Sequence, residues 1–273
     1  MRRLGVGYRH EIAPWILSSP VEISCLEITA EHFFYDRHLK RLKEIREKYP
    51  IVVHGLSLSL GTNGPIHEER LKEFQQVVAL ADPLWISEHV AFTRTSALDL
   101  GHLTPVQYTE EQLSLFVDNA IELTEVCKKP LILENITSHI KIEHQIEEPD
   151  FLNRLCEKAS CGLLLDVTNL FVNSSNLKFD PYEWLKRINP QYVRQLHVVG
   201  YSQFNGILFD SHSENLSSYP ELLKLISHVE EHFEPEMTII ERDEHFPESR
   251  TLANDVYALS QWKEKNVVSR PAN

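Results

Sequence analysis

Eight short apolar runs, each five to seven residues long, constrain this chain more than anything else in it: Leu4–Tyr8, Cys25–Thr29, Ile51–Gly55, Leu84–His89, Pro130–Asn135, Gly162–Val167, Val193–Val199 and Met237–Arg242. Runs of this length, dense in Leu, Ile and Val, suit strands buried on both faces. Between them lie stretches whose apolar residues recur three and four apart, which predicts helices over Arg37–Lys48, Glu68–Ala81, Glu110–Cys127 and Tyr219–His232. Asp150 and Asp180 are placed to cap two shorter helices. Strands alternating with helices in this way predict an α/β fold, a single (β/α)8 TIM barrel, in preference to an open doubly wound sheet. A chain of 273 residues suits a barrel, which takes about 250 residues as one domain. Residues 1–265 are therefore read as one metal-binding barrel domain and 266–273 as a disordered tail.

Charge and composition remove several function classes. Forty acidic against 27 basic residues leave a net charge of −13, which opposes wrapping nucleic acid or docking on anionic lipid. No apolar run approaches the roughly 18 residues of a membrane span. Arg2 and Arg3 are not followed by the apolar segment of a secretory signal. The expectation is a cytoplasmic protein without nucleic-acid or membrane partners. Cys25, Cys127, Cys156 and Cys161 are scattered with no CxxC pair, which predicts buried, reduced thiols.

The informative residues stand where the apolar runs end. A barrel strand fills the interior with apolar side chains, so an ionisable group at its C-terminal end needs a reason. The third run ends in His54, the fourth in Glu88 and His89, the fifth in Glu134, the sixth in Asp166; the seventh carries His197 and the eighth Glu241. Asp210 and His212 follow the seventh run. Long connections, Val90–Tyr108, Ile136–Pro149, Asn169–Phe179 and Gly200–Ser218, leave the same ends, where barrel enzymes bind substrate. Imidazoles and carboxylates gathered at one mouth would be a costly cluster of buried polar groups without cations. The pattern therefore predicts a site for two or three divalent metals. Nitrogen and oxygen donors without thiolate suit Fe, Mn or Zn. Glu134 is the central candidate for a carboxylate bridging two metals at about 3.5–4 Å.

Several segments together are specific: Gly5-Val6-Gly7-Tyr8-Arg9-His10-Glu11, Leu26-Glu27-Ile28-Thr29-Ala30-Glu31-His32, Ser87-Glu88-His89-Val90-Ala91, Leu133-Glu134-Asn135, Leu165-Asp166-Val167-Thr168-Asn169, Gln195-Leu196-His197 and Asp210-Ser211-His212. In order and spacing they closely resemble the multinuclear non-heme iron dependent oxidative enzymes, including the iron oxidases of methanobactin and thiaglutamate biosynthesis. The resemblance runs from Leu4 to Glu248. It implies a xylose isomerase-like barrel that holds two or three irons (Fe2+/Fe3+) and uses O2 as co-substrate to modify a residue, commonly cysteine, of a ribosomally made precursor peptide. By that resemblance His54, His89, Glu134, Asp166, Asn169, His197, Asp210, His212 and Glu241 are the metal ligands, with Glu134, Asp166 and His197 at the catalytic core. Ser213 and Arg242 depart from the acidic residue and the tryptophan usual at those positions.

Two other readings share the ligand order: an endonuclease IV-like phosphodiesterase using three zinc ions, and a xylose isomerase-like sugar isomerase. The net charge of −13 and Asn169, where the nuclease pattern calls for histidine, oppose the first. A non-catalytic barrel would have neutral strand ends. Glu27 and Glu31 are read either as partners of the metal ligands or as caps, and Glu88 as pointing away from the mouth because it alternates with His89. Arg94, His102 and Tyr108 are read as solvated loop residues, and His228 and His232 as surface residues. With nearly all the chain in the barrel, a separate protein is expected to deliver the peptide.

Overall fold

The computed structural model describes residues 3–18, 23–95, 97–244, 246 and 252–259. Eight parallel strands close into a barrel: Arg3–Gly7, Cys25–Thr29, Ile51–His54, Ile86–His89, Leu131–Glu134, Gly162–Asp166, Val193–Val198 and Met237–Ile240. These are called the first to eighth strands below. Each pairs with its neighbour in sequence, and the eighth closes on the first through Arg3↔Met237 to Val6↔Ile240. All eight predicted runs are strands of the barrel: the second has the predicted bounds, the first is shifted by one residue to Arg3–Gly7, and the others are trimmed at their ends. The helices Glu68–Ala81 and Glu110–Cys127 have the predicted bounds, and Asp36–Arg46 and Pro220–Phe233 differ from expectation by one or two residues. No described helix is long and apolar enough to cross a membrane. All four cysteines are free and buried. The predicted tail, 266–273, lies outside the described residues.

Two expectations need correction. Asp180 caps its helix, accepting from the Tyr182 N–H at 2.8 Å, but Asp150 does not. Its helix runs Glu148–Ala159 with Glu147 at the N-cap, so Asp150 sits in the first turn and pairs with Arg187 at 2.7 Å. The segment Asn169–Phe179 is not an open connection. The helix Val167–Leu177 starts directly on the sixth strand, because the Asp166 carboxylate accepts from the Asn169 N–H at 2.7 Å and so caps it. The connections after the fourth and seventh strands fold into antiparallel hairpins, Phe92–Arg94 with Asp99–Thr104 and Gly200–Phe204 with Ile207–Glu214.

Strand periodicity positions the site. Cys25, Val52, Trp85, Ile132, Leu164, Met237 and Ile239 pack together as one buried cluster inside the barrel. Side chains two residues apart on a strand share a face. The inward positions one step nearer the mouth are therefore Glu27, His54, Glu134, Asp166 and Glu241, and Gln195 and His197 are the corresponding pair on the seventh strand. An apolar floor thus sits beneath a layer of ionisable groups. On the first strand the inward position is Gly5, where a Cβ would lie 2.4 Å from the Cys25 carbonyl oxygen and 2.6 Å from its sulfur. Only glycine lets these two strands approach so closely.

Candidate metal centre

Glu134 stands at the centre. Its Oε2 lies 3.4 Å from Nε2 of His54 and 3.4 Å from Nε2 of His89. Its Oε1 lies 3.1 Å from Nδ1 of His197, which is itself 3.0 Å from Oε2 of Glu241. Asp166 joins Glu134, His197 and Glu241 in a second group. His212 joins Glu241 and Asp243 in a third, with Nδ1 3.3 Å from Glu241 and 3.2 Å from Asp243. Within each of the three groups, one ligand atom per residue lies within 4.8 Å of all the others. Glu134 belongs to the first two groups and Glu241 to the last two. Two shared carboxylates therefore link three places at which these residues could hold a cation.

The donor atoms fit metal ions better than they fit one another. His54 Nε2, Glu134 Oε2, Asp166 Oδ2 and both ring nitrogens of His212 are buried without a hydrogen-bond partner, although such atoms are normally paired. Two ligands each about 2.1 Å from a cation and separated by a tetrahedral angle lie about 3.4 Å apart. That is the spacing of Glu134 Oε2 from both histidines. His54 is aimed by Ser87, whose Oγ is 2.8 Å from Nδ1 and leaves Nε2 for the centre. Among the described residues no cysteine joins these groups. Cys25, in the apolar cluster inside the barrel, has its thiol pushed up to about 12 by burial.

Without a cation these groups hold protons for one another. Burial works against the charged form of His89, but Glu134 and Glu88 together outweigh it and bring its pKa to about 9. Burial drives Asp166 up to about 7, with His212 opposing. Glu241 resists its burial and stays well below the usual carboxylate range because His197 and His212 face it. Both of those imidazoles, despite burial, are raised well above the ordinary value, His197 chiefly by Glu27 and His212 chiefly by Asp243 and Glu241.

Seven of the nine residues marked in the sequence, His54, His89, Glu134, Asp166, His197, His212 and Glu241, come together in these groups. Asp210 is in none of them, and the Asn169 amide is engaged elsewhere. The Asn169 amide accepts from Thr137 Oγ1 at 2.7 Å and donates to the Asn135 carbonyl at 3.2 Å. Asp210 is partly exposed, with an oxygen 3.9 Å from Nε2 of His139. On a regular strand Asp210 and His212 would share a face, but a left-handed backbone at His212 (φ 47°) breaks the alternation between them.

Two participants lie outside the predicted set. Asp243 completes the third group, and Arg9, 7% exposed, pairs with it and with Glu241 at 3.4 Å. The only sequence signal for Asp243 was its place two residues past Glu241. Glu27 contacts His197, whereas Glu31 braces the turn after the third strand by accepting from the backbone N–H groups of Leu56 and Ser57. Glu88 turns away from the centre to accept from the Leu58 N–H at 2.9 Å. Tyr108 is not solvated: it is buried, with its hydroxyl 3.1 Å from Glu148. Arg94 pairs with Asp99 at 3.0 Å, and His102 is exposed. The rings of His228 and His232 lie 4.0 Å apart, tilted by 31°, outside the centre.

A closed parallel barrel with buried imidazoles and carboxylates at the C-terminal mouth defines a xylose isomerase-like barrel whose residues could bind metal ions. Solved structures agree on the fold. A xylose isomerase domain protein from Planctomyces limnophilus superposes with a TM-score of 0.64 at 15% identity, covering 97% of this chain and 98% of its own. Endonuclease IV from Thermus thermophilus gives 0.61 at 14% identity, covering 96% and 99%. A UPF0276 protein of Caulobacter vibrioides is 32% identical over 244 residues, 88% of this chain and 86% of its own. Residues 3–264 match the family described as RiPP precursor modification enzyme MbnB/TglH/ChrH. The chain belongs to that family, whose enzymes modify ribosomally synthesised peptide precursors.

Proposed function

We propose that this protein is a multinuclear non-heme iron oxidase that uses O2 to modify a cysteine of a ribosomally synthesised precursor peptide. A separate recognition protein delivers the peptide. The observation that carries the reading is the sharing of Glu134 and Glu241 among three groups of nitrogen and oxygen donors, in a chain of the peptide-modifying family. His54, His89 and Glu134 hold one ion, and Glu134, Asp166, His197 and Glu241 hold a second. His212 serves a third with Glu241 and Asp243. Of the two other residues that the resemblance names as ligands, Asp210 lies near His139 and the Asn169 amide is engaged by Thr137 and Asn135.

When bound, iron supplies the oxidation-state changes and the O2 reactivity that no side chain of this site can provide. The chain's own residues set the conditions. The carboxylates of Glu134 and Glu241 offset charge on neighbouring ions, which lets cations share one small mouth. Asp166, with a pKa of about 7, gives up its proton as a cation arrives. The apolar floor of Val52, Ile132, Leu164 and Ile239 excludes water from below. These residues offer only nitrogen and oxygen, so a substrate thiol would add the sulfur donor at the mouth.

The test combines metal analysis with peptide mass. Protein purified without oxygen should carry at least two irons per chain. Reduced enzyme, a cysteine-containing precursor and its recognition protein should give a cysteine-dependent mass change that needs both iron and O2. Zinc-supported cleavage of an abasic DNA duplex, with every peptide unchanged, would replace this reading with the phosphodiesterase.

A further inference from the structure

We propose that Gln195 and Glu27, oriented from below by Trp85, are positioning residues that fix His197 in the tautomer presenting Nδ1 to the metal centre. The inference rests on the reading of His197 as a ligand. Trp85 precedes the fourth strand inside the barrel, and its indole N–H can only donate. It donates to Oε1 of Gln195 at 2.8 Å. The other end of that amide must then be its NH2, which donates to Oε2 of Glu27 at 2.5 Å. Both oxygens of Glu27 stand close to Nε2 of His197, at 2.8 and 2.9 Å. A carboxylate only accepts, so Nε2 carries the hydrogen. The Gln195 nitrogen is farther from Nε2, at 3.2 Å. Nδ1 faces two further carboxylates, Glu134 at 3.1 Å and Glu241 at 3.0 Å, so it also carries a hydrogen in the metal-free ring, and it is the nitrogen that yields its hydrogen when those carboxylates hold a cation.

Burial makes the chain of contacts determinate. Trp85 is 2% exposed, Glu27 1%, and Gln195 and His197 0%. A glutamine and an indole N–H inside a barrel cost free energy unless they are hydrogen-bonded, and each has its partner within this row. The guanidinium of Arg194 lies over the Trp85 ring, 4.9 Å from its centroid, which fixes the first donor. A ligand imidazole is commonly held by a carboxylate on its other nitrogen, and losing that partner costs about 10- to 100-fold in metal affinity. In this protein two further residues determine how the carboxylate itself is placed. With Phe at position 85, Oε1 of the Gln195 amide loses its donor, and the amide no longer holds Glu27 in one place beside the ring.

Nitrogen NMR of the zinc-loaded protein, labelled with 15N-histidine, tests this without reference to activity. The His197 signals are assigned by their loss in His197→Asn. The expected pattern is a protonated Nε2 and a metal-shifted Nδ1. Trp85→Phe and Gln195→Met should each weaken zinc binding at least about 10-fold in chelator competition and disturb that pattern, while the metal-free proteins still melt cooperatively. Gln195→Met preserves volume and decides the matter if Trp85→Phe fails to fold. Zinc bound with His197 joined through Nε2, or wild-type affinity and pattern in a folded variant, overturns this inference alone. A wild-type protein that binds no zinc overturns the metal reading with it.

Discussion

His54 and His89, on neighbouring strands, present Nε2 to the same oxygen of Glu134, each at 3.4 Å. Two donors aimed at one acceptor that hydrogen-bonds to neither make Glu134 the residue on which metal retention depends most. Glu134→Gln should lose affinity by more than the roughly 10- to 100-fold typical of an outer partner. Asn169→Ala, whose amide is occupied by Thr137 and Asn135, should keep its metal. Metal content after gel filtration decides between them, and the opposite ranking would remove Glu134 from the bridging role.

Stability of the metal-free protein should fall as pH rises. His89 keeps its proton to about pH 9 against 6.5 for an ordinary imidazole. Its stabilising contribution, about 3 kcal/mol, is complete below 6.5 and fades as pH climbs through 9. Asp166 acts with the same sign at lower pH: between 3.8 and about 7 the folded state holds a proton that the unfolded chain has released, so stability declines there too. Cations must displace these protons, so metal affinity should rise from pH 6.5 to 9. Calorimetry of the metal-free protein and zinc titrations across that range measure both slopes, and a flat metal-free profile would contradict the shifts.

Arg9 pairs with the carboxylates, Glu241 and Asp243, for which a cation at the third group would compete. Arg9→Met should destabilise the metal-free protein by about 2 kcal/mol, less than the roughly 3–5 for breaking a fully buried pair, because the Asp243 side chain is 45% exposed. The same substitution should tighten binding at His212, Glu241 and Asp243. Thermal melts and metal stoichiometry, run in parallel, should move in opposite directions.

Gly200 starts the hairpin that carries His212. A Cβ there would lie 2.5 Å from the Glu214 carbonyl oxygen and 2.6 Å from its carbon, both backbone atoms that cannot yield as a side chain would. Gly200→Ala should displace the hairpin and empty the third group, leaving the first two and the circular dichroism of the barrel nearly unchanged. Loss of all metal would show that the three groups stand or fall together.

The barrel was legible in the sequence because strands buried on both faces leave apolar runs, and the site was legible because ionisable residues interrupt those runs at their ends. The helix after Asp166 was not. Val167–Leu177 is rich in Val, Thr, Asn and Ser, which are weak helix formers, and it exists through its Asp166 cap and the burial of Leu170 and Val172. Proline could have corrected the Asp150 reading. Pro181 directly follows the true cap Asp180, whereas Pro149 precedes Asp150 and puts the helix start before it. The orientation of Asp210 turns on a positive φ at His212, and a non-glycine residue gives no advance sign of that. Asp243 acquires its place only when Arg9 folds onto it from the far end of the chain.

The two-residue step that lines Val52 up with His54, Ile132 with Glu134 and Leu164 with Asp166 has a consequence for how the protein reaches its native state. A slip of one residue in any of these strands would send its donor outward and an aliphatic side chain inward. A misaligned barrel could collapse well enough, yet its donors would not converge. A cation held by these groups would therefore proofread strand alignment, selecting the correctly threaded molecules from those that are merely compact.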